Sequence, residues 1–134
     1  MPTRRLTPLL LALALAGCGA QQGGADFKGE QKAVADVVEE LQAAASSRKA
    51  EDICSDILAR GLADSFKASG GDCVREIDEA VRDADDSELE VKAVTVTGDT
   101  AQARVEGRIG SRTGLQVLGL TREDREWRVS DLGG

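Results

Sequence analysis

The residues able to do chemistry in this chain are few, and their types exclude most reactions. Cysteines stand at positions 18, 54 and 73, and there is no histidine and no tyrosine. A cysteine or serine nucleophile needs an adjacent base, and only carboxylates could serve. Ser65, Ser69 and Ser111 therefore lack the imidazole of a Ser–His arrangement. Two cysteines without histidine make a poor zinc set. Cys54 and Cys73, 19 positions apart, also lack the Cys-x-x-Cys spacing of a redox pair. The acids Asp78 and Glu79 and the run Asp83–Glu88 read as a solvated face without the spacing of a calcium loop. Asp99 reads as a turn residue, and no glycine-rich phosphate loop follows a strand. The expectation is a protein that is not an enzyme and needs neither cofactor nor metal.

Cys18 has a different chemistry open to it. Arg4 and Arg5 precede an apolar stretch, Leu6 to Ala16, broken only by Thr7 and Pro8. It is too short for a bilayer core, which needs about 20 apolar residues, and its length and basic flank suit a secretory signal. It ends in Leu15-Ala16-Gly17-Cys18, which is similar to the bacterial lipobox, where the thiol receives a diacylglyceryl group before cleavage. Residues 1–17 are thus expected to be a signal peptide, with Cys18 the lipidated first residue of the mature chain. Two acyl chains suffice for stable attachment. The expected location is the cell membrane, lipid-anchored and facing the extracytoplasmic side. Assigning Cys18 to lipid leaves two cysteines that can pair. In an exported domain a Cys54–Cys73 disulfide is the expected state, with free or reactive thiols as the alternative.

Cleavage leaves 117 residues, enough for one small domain. It removes two basic residues and no acids, so 15 basic residues face 24 acidic ones, a formal charge of −9. Such a surface repels nucleic acid and anionic headgroups, which argues against nucleic-acid binding. Aromatics are limited to Phe27, Phe66 and Trp127, so the core must be built from Val, Leu, Ile and Ala.

These residues must be positioned by the elements that periodicity predicts. Residues 18–27 are glycine-rich and polar, a flexible tether. Residues 28–134 form a single domain. Val34, Val37, Val38, Leu41 and Ala45 predict an amphipathic helix over Lys28–Ser47. A second helix is expected over Ala50–Arg60 with Ile53, Cys54, Ile57 and Leu58 inward and Gly61 just past its end. A further turn follows at Leu62–Lys67. Asp72 is placed to cap a third helix from Cys73 to about Ala84. After Ser87 the period changes to two, with a bulge near Ala93-Val94. Thr97–Thr100 is a hairpin signal, and Ala101–Ile109 alternates cleanly. Leu115–Thr121 is so apolar that both its faces are expected to be covered. Glu123-Asp124 turns the chain into a last strand through Trp127 and Val129 to about Leu132. Helices followed by an antiparallel meander give an α+β order, with the helices covering the sheet.

Several segments together resemble a known family. They are the Leu15–Cys18 box, the long first helix, Ala50-Glu-Asp-Ile-Cys54, Gly70-Gly-Asp-Cys73, the hairpin Val94–Ala101 and the closing Leu120–Ser130. Their order is similar to small exported actinobacterial lipoproteins of the nuclear-transport-factor-2-like (SnoaL-like) superfamily. The resemblance implies helices packed on a curved sheet of about four strands, forming a cone with an open end. It also implies a homodimer through the sheet. The superfamily's enzymes rely on histidine, tyrosine or paired acids, and no histidine or tyrosine position can be filled here.

Two binding functions remain. In the first, a small apolar ligand sits between helices and sheet against Val105, Ile109, Val117, Trp127 and Val129. In the second, the domain is a protein-interaction or envelope-accessory module without a pocket. Its face would be Arg104, Glu106 and Arg108 or the cluster Arg122–Arg128.

Overall fold

The computed structural model describes residues 27–82, 88–109 and 112–133. The segment expected to be a signal peptide, Cys18, residues 19–26 of the expected tether and the acidic run 83–87 lie outside the described residues.

Helix α1, Gly29–Ser46, forms where the apolar spacing predicts it and buries Val34, Ala35, Val38, Leu41 and Ala44. Phe27, two residues before the helix, is also buried. The next segment departs from expectation. The chain makes one α turn, α2 (Ala50–Asp52), and then widens into a π turn, Ile53–Ile57. The Leu58 N–H closes that turn on the Ile53 carbonyl at 2.9 Å, and Leu58 itself is extended. The reason lies across the molecule. Leu58 forms an isolated parallel bridge with Val129, and the Ala59 N–H donates to the Val129 carbonyl at 2.8 Å. Pairing with a strand edge takes Leu58 and Ala59 out of the helix while leaving both buried. Gly61 consequently does not end a helix; it lies in the first turn of α3, Arg60–Ala68. Helix α4, Cys73–Val81, starts as expected, with the Asp72 carboxylate accepting from the Arg75 N–H at 3.3 Å.

The sheet is an antiparallel meander in the order β1-β2-β3-β4. Strand β1 (Leu89–Thr97) shifts register between Val91 and Ala93. Lys92 is therefore the extra residue, just ahead of the bulge that the change of parity predicts. Gly98, at φ +60, takes the first central place of the turn into β2 (Thr100–Ile109), where a two-residue hairpin turn calls for a left-handed residue. Strand β3 (Arg112–Glu123) begins earlier than expected, pairing Arg112 with Ile109. Asp124 and Arg125, at φ +49 and +70, turn the chain into β4 (Glu126–Asp131).

One expectation about β3 is corrected. Leu118 and Leu120 are buried, but Leu115 is 63 % and Val117 46 % exposed. Leu115 and Val117 alternate with the buried pair and point away from the helices, so this strand is covered on one face only. The core is a single layer between α1, the π turn and α4 on one side and Val94, Val105, Leu118, Leu120 and Val129 on the other. The architecture is α+β with an open four-stranded sheet.

Gly107 marks the tightest place in the sheet. Its φ is +147, and a Cβ there would run into the Glu88 carbonyl oxygen. Gly107→Ala should destabilise the domain by well over the ~1 kcal/mol of an ordinary left-handed glycine replacement. Urea unfolding of the variant measures this, and a cost near zero would show that the β1–β2 pairing yields there.

Candidate functional site

Cys54, in the π turn, and Cys73, the first residue of α4, form a disulfide with a Cα–Cα distance of 6.1 Å. The expected pairing is therefore present. It ties the irregular second helical segment to α4 and encloses α3 between the two cysteines. Helix α3 needs that tie, because none of its residues is fully buried.

The five residues expected to wall an apolar pocket do not act together. Val105 and Val129 have no exposed surface at all, and Trp127 retains 6 %. A residue with no accessible surface touches no space large enough for water, so the two valines are core. Ile109 is half-buried and packs against that core. Val117 stands opposite Arg104 on the other side of the sheet, and its inclusion with the other four is corrected by the simple alternation of a strand. A polar group was missed instead. Gln116 lies opposite Val105, facing the helices, and its Nε2 donates to the carbonyls of Gly107 and Arg112 at 3.4 and 3.1 Å. Its Oε1 is buried without a hydrogen-bond partner. A glutamine inside a run of leucine and valine gave no separate signal in the sequence.

The cluster Arg122–Arg128, one candidate for an interaction face, is largely occupied within the molecule. Glu30, in the first turn of α1, accepts from the Trp127 indole N–H at 2.7 Å and from Arg122 Nη2 at 2.6 Å. The Arg122 guanidinium also lies 4.6 Å from the centre of the Trp127 ring and 3.3 Å from Asp99. Both Glu123 carboxylate oxygens accept from the Arg60 N–H, at 3.2 and 3.3 Å, supplying the cap that α3 lacks locally. Asp124 pairs with the Arg60 side chain at 2.7 Å. Arg128 donates to the Ser55 carbonyl in the π turn at 2.9 Å. One short hairpin thus holds α1, the π turn and α3 in place.

The hydrogen bond from Trp127, and then the charge of Arg122, hold the Glu30 carboxyl below its ordinary value of 4.5. A carboxyl with a lowered folded pKa contributes stability that is present above its ordinary value and lost as pH falls through the lowered one. Glu30→Gln should therefore flatten the acid limb of the stability curve below about pH 4.5. Thermal unfolding of both proteins from pH 6 down to pH 3 checks this. Parallel curves would show that the exposed part of this cluster is fully screened.

The outer face of the sheet remains. Arg104 and Leu115, with Val117, occupy its centre, and Arg108 lies on the same face. Lys92 reaches both Glu90, at 3.1 Å, and Glu106, at 3.4 Å, and these bonds, that to Glu90 foremost, hold its ammonium above the usual lysine range. No other large apolar side chain among the described residues is as exposed as Leu115 and Val117. Among the described residues no group of three or more acids or cysteines is arranged to hold a metal ion. No helix among them is long and apolar enough to cross a membrane. Comparison with family models, curated proteins and solved structures returns no match for this chain.

Proposed function

We propose that this protein is a lipid-anchored extracytoplasmic lipoprotein whose domain, a small cone of the nuclear-transport-factor-2-like kind, is a non-catalytic interaction module. The observation that carries the anchoring reading is the cysteine count. With Cys54 and Cys73 joined to each other, the remaining cysteine is the one at the end of Leu15-Ala16-Gly17-Cys18. Intact-mass analysis of the mature protein tests it. The expected mass starts at Cys18 with added acyl chains and rises by two hydrogen atoms on reduction. A mature chain with an unmodified Cys18 overturns it.

The interaction reading is supported over the pocket reading by the full burial of Val105 and Val129. The surface left for a partner is the outer sheet face, since the Arg122–Arg128 hairpin is engaged internally. One observation favours the ligand reading, the unpartnered Gln116 Oε1 on the inner side of the sheet. Native mass spectrometry of protein from its own host decides between them. A co-purifying small molecule lost in Gln116→Leu supports a ligand, and a bare mass supports the interaction module.

A further inference from the structure

We propose that helix α3 is a strap that opens and closes as one unit while the rest of the domain stays folded, with the Cys54–Cys73 bond intact. Opening turns the apolar face of the strap out to solvent and gives the domain a conditional apolar surface. The proposal stands on the helix and its two ends, and is independent of the anchoring reading.

Burial is the first argument. Helix α1 buries five residues and α4 three, whereas α3 buries none. Leu62, Ala63 and Phe66 are its only contribution to the core, and each is half-buried. Helix α3 rests on α4 and β4. Lifting it off exposes these three side chains and what they cover, and leaves the layer between α1 and the sheet whole. Burial of apolar surface is the main term that holds an element in place. The helix that buries least is the one released at least cost.

The second argument is a weakness within the helix itself. Gly61 lies in its first turn, and a Cβ there would meet nothing within 4 Å. Its φ lies outside the left-handed range. Neither close packing nor backbone conformation therefore calls for glycine at this place, and glycine lowers the stability of a helix. Ala59, at the N-cap, has no side-chain acceptor to offer. The cap comes from Glu123 across the molecule, beside the pair of Arg60 with Asp124. Both members of that pair are exposed, so it adds little.

The third argument is how the two ends are held. Leu58 and Ala59 are extended and bonded to Val129. At the other end Ser69-Gly70-Gly71, with Gly70 at φ +82, separates α3 from α4. Cys73 then returns the chain to the π turn through the disulfide, and Arg128 holds that turn to the sheet through the Ser55 carbonyl. Both ends of the strap are thus fixed to one place, and α3 can leave without drawing the π turn or α4 after it. A short closed loop also gains little entropy on release, which keeps the strap shut for most of the time.

The test is amide hydrogen exchange of the mature protein, followed by nuclear magnetic resonance with the disulfide intact, over a series of urea concentrations below global unfolding. Urea promotes an opening in proportion to the surface that it exposes. The amides from Ala63 to Ser69, bonded along the helix, should share one urea slope, above zero and below that of β2 and β3. Gly61→Ala should slow all of them together by about two- to fivefold, the gain of this replacement at a compatible site. A slope of zero means fraying from the helix end and overturns the proposal. So does a slowing in Gly61→Ala that is absent, or that fades from residue 63 towards residue 69. A slope equal to that of β2 and β3 means that α3 opens only when the whole domain unfolds, and overturns it as well.

Discussion

Reducing the Cys54–Cys73 bond is expected to lower the stability of the domain by about 3 kcal/mol, the chain-entropy value for a loop of roughly 20 residues. For a domain of this size each kcal/mol moves the thermal midpoint by about 4–8 °C, so the midpoint should fall by roughly 12–24 °C. The loss should also be local before it is global. Helix α3 lies inside the loop, buries no residue fully and is otherwise held at its start by Glu123, Asp124 and the bond from Ala59 to Val129. Amide exchange in Arg60–Ala68 should therefore accelerate in the reduced protein under conditions where β2 and β3 remain protected. A midpoint shift of only a few degrees would mean that the reduced chain keeps the two segments together by packing alone.

Trp127→Ala should cost about 3–5 kcal/mol, as removal of a large buried aromatic does. Trp127 fills the core beside Val129 and Leu120, and its indole N–H is the donor that fixes Glu30. Trp127→Phe separates these roles. It keeps most of the ring, loses the N–H, and should cost about 1–3 kcal/mol. Urea unfolding followed by far-UV circular dichroism measures both, since the chain has no other tryptophan to report by fluorescence. If the alanine variant lost less than about 1 kcal/mol, the ring would be a surface cover and not part of the core.

How far the sequence reached can be judged from particular elements. Helix α1, the cap at Asp72, the change of period after Ser87 and the turn at Gly98 were legible because each is decided by neighbours within a few positions. The π turn was not. The spacing of Ile53, Ile57 and Leu58 fits a continuous helix, and it is Val129, some 70 positions on, that draws Leu58 into an extended bridge. Strand β3 misled for a related reason. Its residues are apolar on both sides, and local pattern cannot say whether anything lies across from Leu115 and Val117. The Arg122–Arg128 segment looks like any solvated hairpin, because its partners Glu30, Arg60 and Ser55 are remote in sequence. The disulfide was legible from the number of cysteines, whereas the place of Gln116 depends on a register that only the paired strands define.

The way the sheet ends has a consequence for the behaviour of many copies together. An open meander offers unpaired backbone at its borders, which is how identical chains template one another into fibrils. Here each border is spoiled differently. The outer side of β1 is interrupted by the Lys92 bulge and by the Gln31 side chain donating to the Val94 carbonyl at 3.0 Å. That of β4 is partly covered by Leu58 and Ala59. The stretch of β3 that outruns β4 contains Gly114 at φ +102, which breaks the regular backbone. A protein built this way can be crowded on a two-dimensional surface without its sheets polymerising. Straightening any one border, for instance by deleting Lys92, would remove that protection first.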